Sequence, residues 1–296
     1  MRYLGIDVGG TNIKYGVFSE FGVEDILRSG EVRTITDDLD GFINLIGDII
    51  NKFENIDGVG LSIPCAVNSK SGLVVEEGGV PVLDGLNIKE ILHERLGIKI
   101  AVENDANCCA LAEQWIGNGK GVENFICITI GTGVGGGIII NNKLLTGNRF
   151  FAGEFGRMIL KVDKGDIEDY KNTGYYCSTS SLVRQVAKVL RVETESLNGK
   201  IIFEMIKKEN QDVINVYEKW VKQLSIAIAN LGFIFDPEKI LIGGGVSNAS
   251  KVIDDIKKYV DSIDIYDSQW EINNCKHFNN SGKIGAVYNY MVENSK

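Results

Sequence analysis

The sequence predicts an α/β protein with two similar halves. Apolar strands alternate with segments of helical period, and a βαβ rhythm is established by about residue 100. A strand, a glycine–threonine turn and a second strand occupy residues 3–18 and recur at residues 125–140, roughly 120 residues later. At 296 residues the chain is also long for one hydrophobic core. We therefore expect a duplicated fold whose two turns face one site.

The composition restricts the class of partner. The net charge is −9 and the pI about 5.0, which argues against nucleic acid or an anionic membrane as the main partner. No apolar run approaches the roughly 18–20 residues of a membrane span. The first residues enter a strand without the anatomy of a signal peptide, and the six cysteines are scattered without a CxxC pair. We expect a cytoplasmic protein with reduced thiols.

The first half opens with an apolar strand at residues 3–7, a turn containing Gly9, Gly10 and Thr11, and a strand at residues 13–18. Paired glycines let backbone N–H groups approach an anion, although an ordinary hairpin with a Gly-Gly turn is the alternative. Asp7 ends the first strand, where its carboxylate could hold Mg²⁺ through water. The apolar period next predicts helices at residues 40–54 and 85–96, with a buried strand at residues 59–64 between them.

Residues 102–107 lie where an apolar strand ends and a helix at residues 106–117 begins. This junction is the position at which α/β proteins bind ligands. Asp105 could accept a proton from a bound hydroxyl, with Asn104 beside it to orient that hydroxyl. The alternative is that Asn104 or Asp105 only caps the helix.

The second half follows a glycine-rich connection at residues 117–121, which we interpret as a domain junction. A strand at residues 125–130 enters a turn with Gly131, Thr132 and Gly133, and a strand follows at residues 138–140. The turn also matches a dinucleotide-binding GxGxxG pattern. That pattern requires a helix immediately afterwards, whereas residues 138–145 predict strand, turn and strand, so we reject it.

Two further glycine-flanked positions are candidate ligand contacts. Glu154 could accept two sugar hydroxyls, or it is an exposed surface glutamate. Gly244 and Gly245 follow a strand at residues 240–242, where a flat aromatic or phosphate group could approach the backbone; plain strand-to-helix packing is the alternative.

The remaining elements of the second half follow from polarity and helical period. Residues 164–173 are predicted to form a loop. Helices are predicted at residues 182–190, 198–209, 212–235, 247–260 and 284–293.

In combination these motifs resemble the sugar kinases of the ROK family, in the superfamily that joins actin, hexokinase and the heat-shock chaperone ATPases. The matching segments follow family order over nearly the whole chain: Asp7-x-Gly9-Gly10-Thr11-x-x-Lys14, Glu103-Asn104-Asp105-Ala106-Asn107, Gly131-Thr132-Gly133-x-Gly135-Gly136-Gly137, Gly153-Glu154-x-Gly156 and Ile242-Gly243-Gly244-Gly245. The resemblance implies a duplicated ribonuclease H-like, actin-like ATPase fold, with two lobes and a cleft between them. Residues 1–117 and 284–296 would form the N-terminal lobe, and residues 118–283 the C-terminal lobe.

The resemblance also implies an ATP-dependent transfer of phosphate to the 6-hydroxyl of a hexose-type sugar, with ATP and Mg²⁺ as cofactors. Asp105 is then the general base, Asp7 positions Mg²⁺ through water, and the protein is a homodimer. The implied sugar contacts are Asn104, Asp105, Glu154, Gly79 and Arg157. The implied ATP contacts are Asp7, Gly9, Gly10, Thr11, Lys14, Gly131, Thr132, Gly133, Gly244 and Gly245.

One departure from the family concerns zinc. Many members carry a histidine after Gly-Glu-x-Gly and a downstream cysteine cluster, whereas this chain has Arg157 there and only Cys177 downstream. One thiol cannot make a closed zinc site, so we predict no zinc, with the sugar recognised around Arg157 and residues 77–81. This pattern looks most like β-glucoside kinases, and some N-acetylmannosamine kinases share it.

Two alternatives to the kinase are considered. One is a catalytically silent sugar- or nucleotide-binding regulator, and the other is a phosphotransferase for a non-sugar substrate. An intact Asp105 and the absence of a helix-turn-helix segment favour the kinase.

Overall fold

The computed structural model describes residues 1–76, 78–162, 170–263 and 270–295. Contacts divide the chain into two compact units. The first contains residues 1–121, 137–153 and 279–296, and the second contains residues 122–136 and 154–278. Residues 118–121, 137–153 and 279–283 thus belong to the first unit, whereas the lobe boundaries implied by the resemblance placed them in the C-terminal lobe.

The described strands and helices follow the predicted order. The strands are β1 Arg2–Val8, β2 Asn12–Ser19, β3 Glu24–Arg33, β4 Gly58–Ile63, β5 Ala66–Asn68, β6 Leu73–Glu76, β7 Ile100–Asn104, β8 Phe125–Ile130, β9 Val134–Ile140, β10 Lys143–Leu144, β11 Ile159–Val162, β12 Tyr170–Asn172, β13 Lys239–Gly243 and β14 Glu271–Asn274. The helices are α1 Leu39–Asn51, α2 Ile88–Leu96, α3 Asp105–Ile116, α4 Thr173–Cys177, α5 Thr179–Leu190, α6 Gly199–Lys207, α7 Gln211–Phe235, α8 Ser250–Ile263 and α9 Ser281–Asn294.

The main sheet of the first unit has the order β3-β2-β1-β4-β7. β1 pairs antiparallel with β2 and parallel with β4, and β4 pairs parallel with β7. Because parallel strands end at the same edge, the register brings Asp7 opposite Ser62 and Ser62 opposite Glu103. Three polar residues therefore lie side by side at the carboxyl edge of the parallel part of this sheet.

Successive residues of β1 alternate between the two faces of this sheet, as the period of a strand requires. Leu4 and Ile6 join the core that contains the apolar side of α1. Tyr3 joins a smaller cluster with Ala112 of α3 and Ile284 of α9. The sheet is thus covered by helices on both faces.

The second sheet has the order β10-β9-β8-β13-β14, in which β8, β13 and β14 are parallel. It repeats the order of the first sheet: consecutive strands at one side, then parallel strands reached through helices. The predicted α/β class and duplicated fold are thereby confirmed. In the second unit, α7 contributes the fully buried Tyr217 and Trp220 to the core.

Some predicted boundaries shift for local reasons. The helix predicted at residues 85–96 begins at Ile88, since the side chain of Asn87 accepts a hydrogen bond from the N–H of Glu90 and caps it there. A short 3₁₀ turn, Gly245–Asn248, precedes α8, so this helix starts at Ser250. Most of the predicted loop at residues 164–173 lies outside the described residues, and residues 170–172 form β12. Over the described ranges, no helix has the length and apolar character needed to cross a membrane.

Candidate active site

The carboxylate of Asp7 lies at the carboxyl edge of the first sheet, with its Oδ1 accepting a hydrogen bond of 2.8 Å from the Ser62 hydroxyl. Burial raises the pKa of Asp7, while the Ser62 hydrogen bond and the charges of Lys14 and Lys283 oppose that rise. Lys14 is the register partner of Asp7 on β2, and it lines a cavity of about 350 Å³ together with Glu31 and Lys283. The positive charges of Lys14 and Lys283 thus act on the Asp7 carboxylate.

The turn between β1 and β2 is held by Thr34. Its hydroxyl donates to the carbonyl of Gly9 at 2.6 Å, and its N–H donates to the carbonyl of Thr11 at 2.8 Å. Gly10 and Thr11 are exposed. A Cβ at Gly10 would lie 3.4 Å from the carbonyl oxygen of Gly79, so this turn and the predicted sugar loop are neighbours within the first unit. Glu77, in the same predicted loop, lies outside the described residues.

Asn104 and Asp105 occupy the junction between β7 and α3. The side-chain oxygen of Asn104 accepts hydrogen bonds from the N–H groups of Ala106 and Asn107, at 2.9 and 3.1 Å. Its amide donates to the carbonyl of Cys65 at 3.2 Å. Asn104 is therefore the cap, and Asp105 is the first helical residue, exposed between the partly buried Asn104 and the buried Ala106. A carboxylate on the first turn of a helix is well placed to meet a ligand hydroxyl.

In the second unit, Gly131 and Thr132 of the glycine turn line one of two adjoining cavities. The N–H of Thr179 donates to the carbonyl of Gly131 at 2.9 Å, which joins the turn to the start of α5. A cavity of about 440 Å³ is lined by Gly131, Thr132 and Gly245, together with the first residues of α5 and α6. Backbone N–H groups at helix starts favour anions, so this arrangement suits phosphate groups.

The second cavity, of about 750 Å³, extends from Gly245 between α6 and α8. Its lining combines apolar surface from Phe203 and Val246 with the cationic Lys200 and Lys251. An apolar cavity of this size with a few charged groups is typical of a small-molecule site. Sequence reasoning missed several residues that line one or both cavities: Thr179, Ser180, Asn198, Gly199, Lys200, Phe203 and Lys251. The only signal was the capping pattern at the helix starts, which most helices share.

Gly133 and Gly244 do not line these cavities. Gly244 has a φ of +82°, and a Cβ there would overlap the carbonyl of Ile130. The hydroxyl of Ser247 donates to the Gly244 carbonyl at 2.7 Å. Gly244 thus shapes the turn that presents Gly245.

In the second unit, Glu154 caps a 3₁₀ turn, Phe155–Arg157, of which Arg157 is the last residue. Arg157 Nε lies 3.4 Å from Glu154 Oε2, with the two side chains 57% and 33% exposed. A Cβ at Gly156 would overlap the Val134 carbonyl, which explains the glycine after Glu154. The pair is accessible to a polar ligand, and its carboxylate and guanidinium can both bond hydroxyl groups.

Cys177, the one thiol available for the zinc site considered above, is fully buried. Burial raises its pKa to about 12, which disfavours the thiolate that binds metals. Among the described residues, it belongs to no group of three or more His, Cys, Asp or Glu side chains close enough to hold a metal ion.

The chain has relatives among known proteins. A model of the ROK family matches residues 3–291. A β-glucoside kinase from Listeria monocytogenes is 33% identical over 297 residues, which cover 100% of this chain and 99% of the relative.

Two solved structures have the same fold. One, from Listeria monocytogenes and only provisionally described as an N-acetylmannosamine kinase, has a TM-score of 0.91 and 31% identity, with 100% of both chains covered. The other is a ROK family glucokinase from Streptomyces griseus in complex with glucose and AMPPNP, with a TM-score of 0.84, 27% identity, and coverage of 99% of this chain and 100% of that one.

Proposed function

Because this chain belongs to the ROK family, we propose that it is an ATP-dependent sugar kinase that phosphorylates the 6-hydroxyl of a hexose-type sugar. The observation that carries the proposal is the exposed carboxylate of Asp105, placed on the first turn of α3 beside the fixed side chain of Asn104. Asp105 takes the proton of the attacking hydroxyl, and Asn104 orients the sugar. A pure binding protein would not need a base at this position.

ATP is proposed to occupy the cavities of the second unit. Its phosphates lie at Gly131 and Thr132, where helix starts supply N–H groups, and its adenosine extends past Gly245 into the larger cavity. The AMPPNP in the related glucokinase structure supports a nucleotide donor. Phosphoryl transfer needs positioning and charge stabilisation more than covalent chemistry, and backbone N–H groups supply part of it without adding basic residues.

Mg²⁺ is proposed to bind near Asp7 through water, because a carboxylate with a hydroxyl beside it offers the oxygen ligands that this ion prefers. When bound, the ion offsets phosphate charge. Gly9, Gly10 and Thr11 form the exposed turn next to this carboxylate, and Lys14 supplies a positive charge on the same face of the sheet. No zinc is proposed at Arg157 and Cys177.

For the sugar, we propose contacts from Asn104, Asp105, Gly79, Glu154 and Arg157. The candidate sugars are a β-glucoside or glucose and N-acetylmannosamine. The β-glucoside kinase among the relatives, matched over the whole length of this chain, favours the first class.

The test is sugar-dependent ADP release from Mg·ATP with glucose, cellobiose, N-acetylmannosamine, N-acetylglucosamine, mannose and fructose. Asp105→Asn is expected to lower kcat at least about 100-fold on the sugar that reacts, in the range for a lost general base. Asp212→Asn is the matched control, since Asp212 is also an exposed aspartate on the first turn of a helix. If ATP binds and no sugar stimulates ADP release, the kinase proposal fails and the regulator takes its place.

A further inference from the structure

Glu103 is a buried carboxylate two residues before Asp105. It lies in β7 and is 1% exposed. An isolated carboxylate is costly to bury, so such a group is expected to make compensating hydrogen bonds. The helix cap does not account for it, because Asn104 already makes the capping contacts.

The hydrogen bonds of Glu103 hold the chain on both sides of Asp105. Its Oε1 accepts from the backbone N–H of Asn104 at 2.7 Å and from the side-chain amide of Asn107 at 3.0 Å. Asn104 precedes Asp105, and Asn107 lies in the same first turn of α3. One carboxylate oxygen therefore ties the end of the strand to the start of the helix across the residue proposed as the base.

Burying the Glu103 carboxylate has an energetic cost. Burial raises the pKa of the Glu103 carboxyl, while hydrogen bonds from Asn107, Asn104 and Ser69 and the charge of Lys89 oppose the rise. An apolar side chain of similar volume would fill the space without that cost, but it could not accept the two hydrogen bonds.

We propose that Glu103 is a positioning residue for Asp105, an inference that rests on the proposed function. It fixes the first turn of α3 so that the exposed carboxylate meets the sugar hydroxyl at reactive distance. A displacement of about 1 Å at a reacting group can lower a rate by roughly 100-fold. Loss of the Glu103 contacts should therefore affect kcat more than ATP binding.

The α3 helix itself supplies a matched control. Glu113 is also fully buried, and its Oε2 accepts from the N–H of Asn118 at 2.8 Å at the opposite end of the same helix. Removing either carboxylate should lower the melting temperature. At a temperature where both variants are folded, Glu103→Ala is expected to lower kcat more than 10-fold with the ATP KM within 2-fold, whereas Glu113→Ala keeps kcat within 2-fold.

A conservative variant separates hydrogen bonding from charge. Glu103→Gln retains an acceptor oxygen, so kcat is expected within about 3-fold of the wild type. If Glu103→Ala does not fold, Asn107→Ala removes the side-chain bond from the other end and should lower kcat several-fold. Equal kcat values for Glu103→Ala and Glu113→Ala, or a Glu103→Gln variant as slow as Glu103→Ala, would overturn the inference alone. Lack of sugar-dependent turnover in the wild type would remove the proposed function and this inference together.

Discussion

Ser62 and Asp7 are register partners on β4 and β1, and the Ser62 hydroxyl donates to Asp7 Oδ1 at 2.8 Å. The same carboxylate also faces the first turn of α9. A Cβ at Gly282 would overlap the Asp7 carboxylate, so the backbone of the helix approaches closely there. Asp7 is thus packed against both a hydroxyl and the start of a helix.

This packing predicts that Gly282→Ala is disruptive. The added methyl would displace either the Asp7 carboxylate or the start of α9, with an expected stability loss of roughly 1–3 kcal/mol and a lower kcat with Mg·ATP. Gly41→Ala is the control, since Gly41 also lies in a first helical turn near an aspartate, but Asp38 is exposed and can move. Melting temperature and kcat are measured for both. Equal behaviour of the two variants would contradict the prediction.

The two glycines after β13 should respond differently to alanine. Gly244 has positive φ and no room for a Cβ, so Gly244→Ala should lower the free energy of unfolding by roughly 1–3 kcal/mol. A Cβ at Gly245 would meet nothing within 4 Å, and this residue lines both cavities, so Gly245→Ala should keep stability within about 0.5 kcal/mol but raise the ATP KM. Urea unfolding and ATP titrations check both variants. An unchanged KM for Gly245→Ala would argue against nucleotide binding here.

Two capping asparagines make a matched pair. Asn198 accepts from the N–H of Ile201 at 3.0 Å at the start of α6, and Asn210 accepts from that of Val213 at 3.2 Å at the start of α7. Replacing either by alanine should cost about 1 kcal/mol of stability. Only Asn198 lines both cavities, so only Asn198→Ala should raise the ATP KM. The same KM change in both variants would show that helix fraying, rather than contact, is responsible.

The buried Glu103 predicts a pH dependence of stability. Its pKa is raised above the ordinary value of 4.5, so the folded state holds this proton more tightly than the unfolded chain. Its contribution to the free energy of unfolding is then present at low pH and falls as pH rises from about 4.5 through the raised pKa, by at most about 1.4 kcal/mol per pH unit. The melting temperature of the wild type should therefore decline, relative to Glu103→Gln, over that window.

The control for this pH series is Glu204, whose pKa is shifted in the opposite direction. Lys207 lowers the pKa of the exposed Glu204. A lowered pKa gives a contribution that is present above the ordinary value and lost as pH falls. The wild type should therefore show no decline relative to Glu204→Gln as pH rises. Parallel melting curves for the wild type and Glu103→Gln would count against a raised pKa.

Replacing Arg157 is expected to weaken sugar binding with little effect on stability. Its pair with Glu154 is exposed, so Arg157→Ala should cost less than about 1 kcal/mol of stability while raising the sugar KM. Arg95→Ala breaks another exposed pair, with Asp40, and is expected to leave the sugar KM unchanged. Steady-state kinetics at fixed Mg·ATP provide the comparison. If the two variants have the same sugar KM, Arg157 does not contact the sugar.

Local patterns predicted much of the fold because they involve neighbours in sequence. The junction at Asn104 and Asp105 follows from an apolar strand meeting a helical period, and the structure shows that Asn104 is the cap. The duplicated turns at Gly9 and Gly131 were visible for the same reason. The base role of Asp105 stays a prediction.

The nucleotide cavities were less visible in the sequence. They collect Thr179, Asn198 and Lys251 from the starts of α5, α6 and α8, and the whole of α7 and β13 separates α6 from α8 in sequence. Each of these residues has an ordinary local role, such as the cap at Asn198, so nothing nearby in sequence distinguishes it. Only tertiary packing brings them to one place. The Glu103 contacts were hidden too, since a carboxylate inside a strand normally indicates an exposed position.

The helix α9 has a consequence for the order of synthesis. The first unit needs residues 279–296, and a Cβ at either Gly5 or Gly60 would overlap the backbone of α9. The second unit is complete by residue 278. All residues of the second unit are therefore synthesised before the first unit can complete its fold. A chain stopped before α9 would lack the close backbone approach at Asp7, so a helix translated long after β1 completes the surroundings of the carboxylate at the end of that strand.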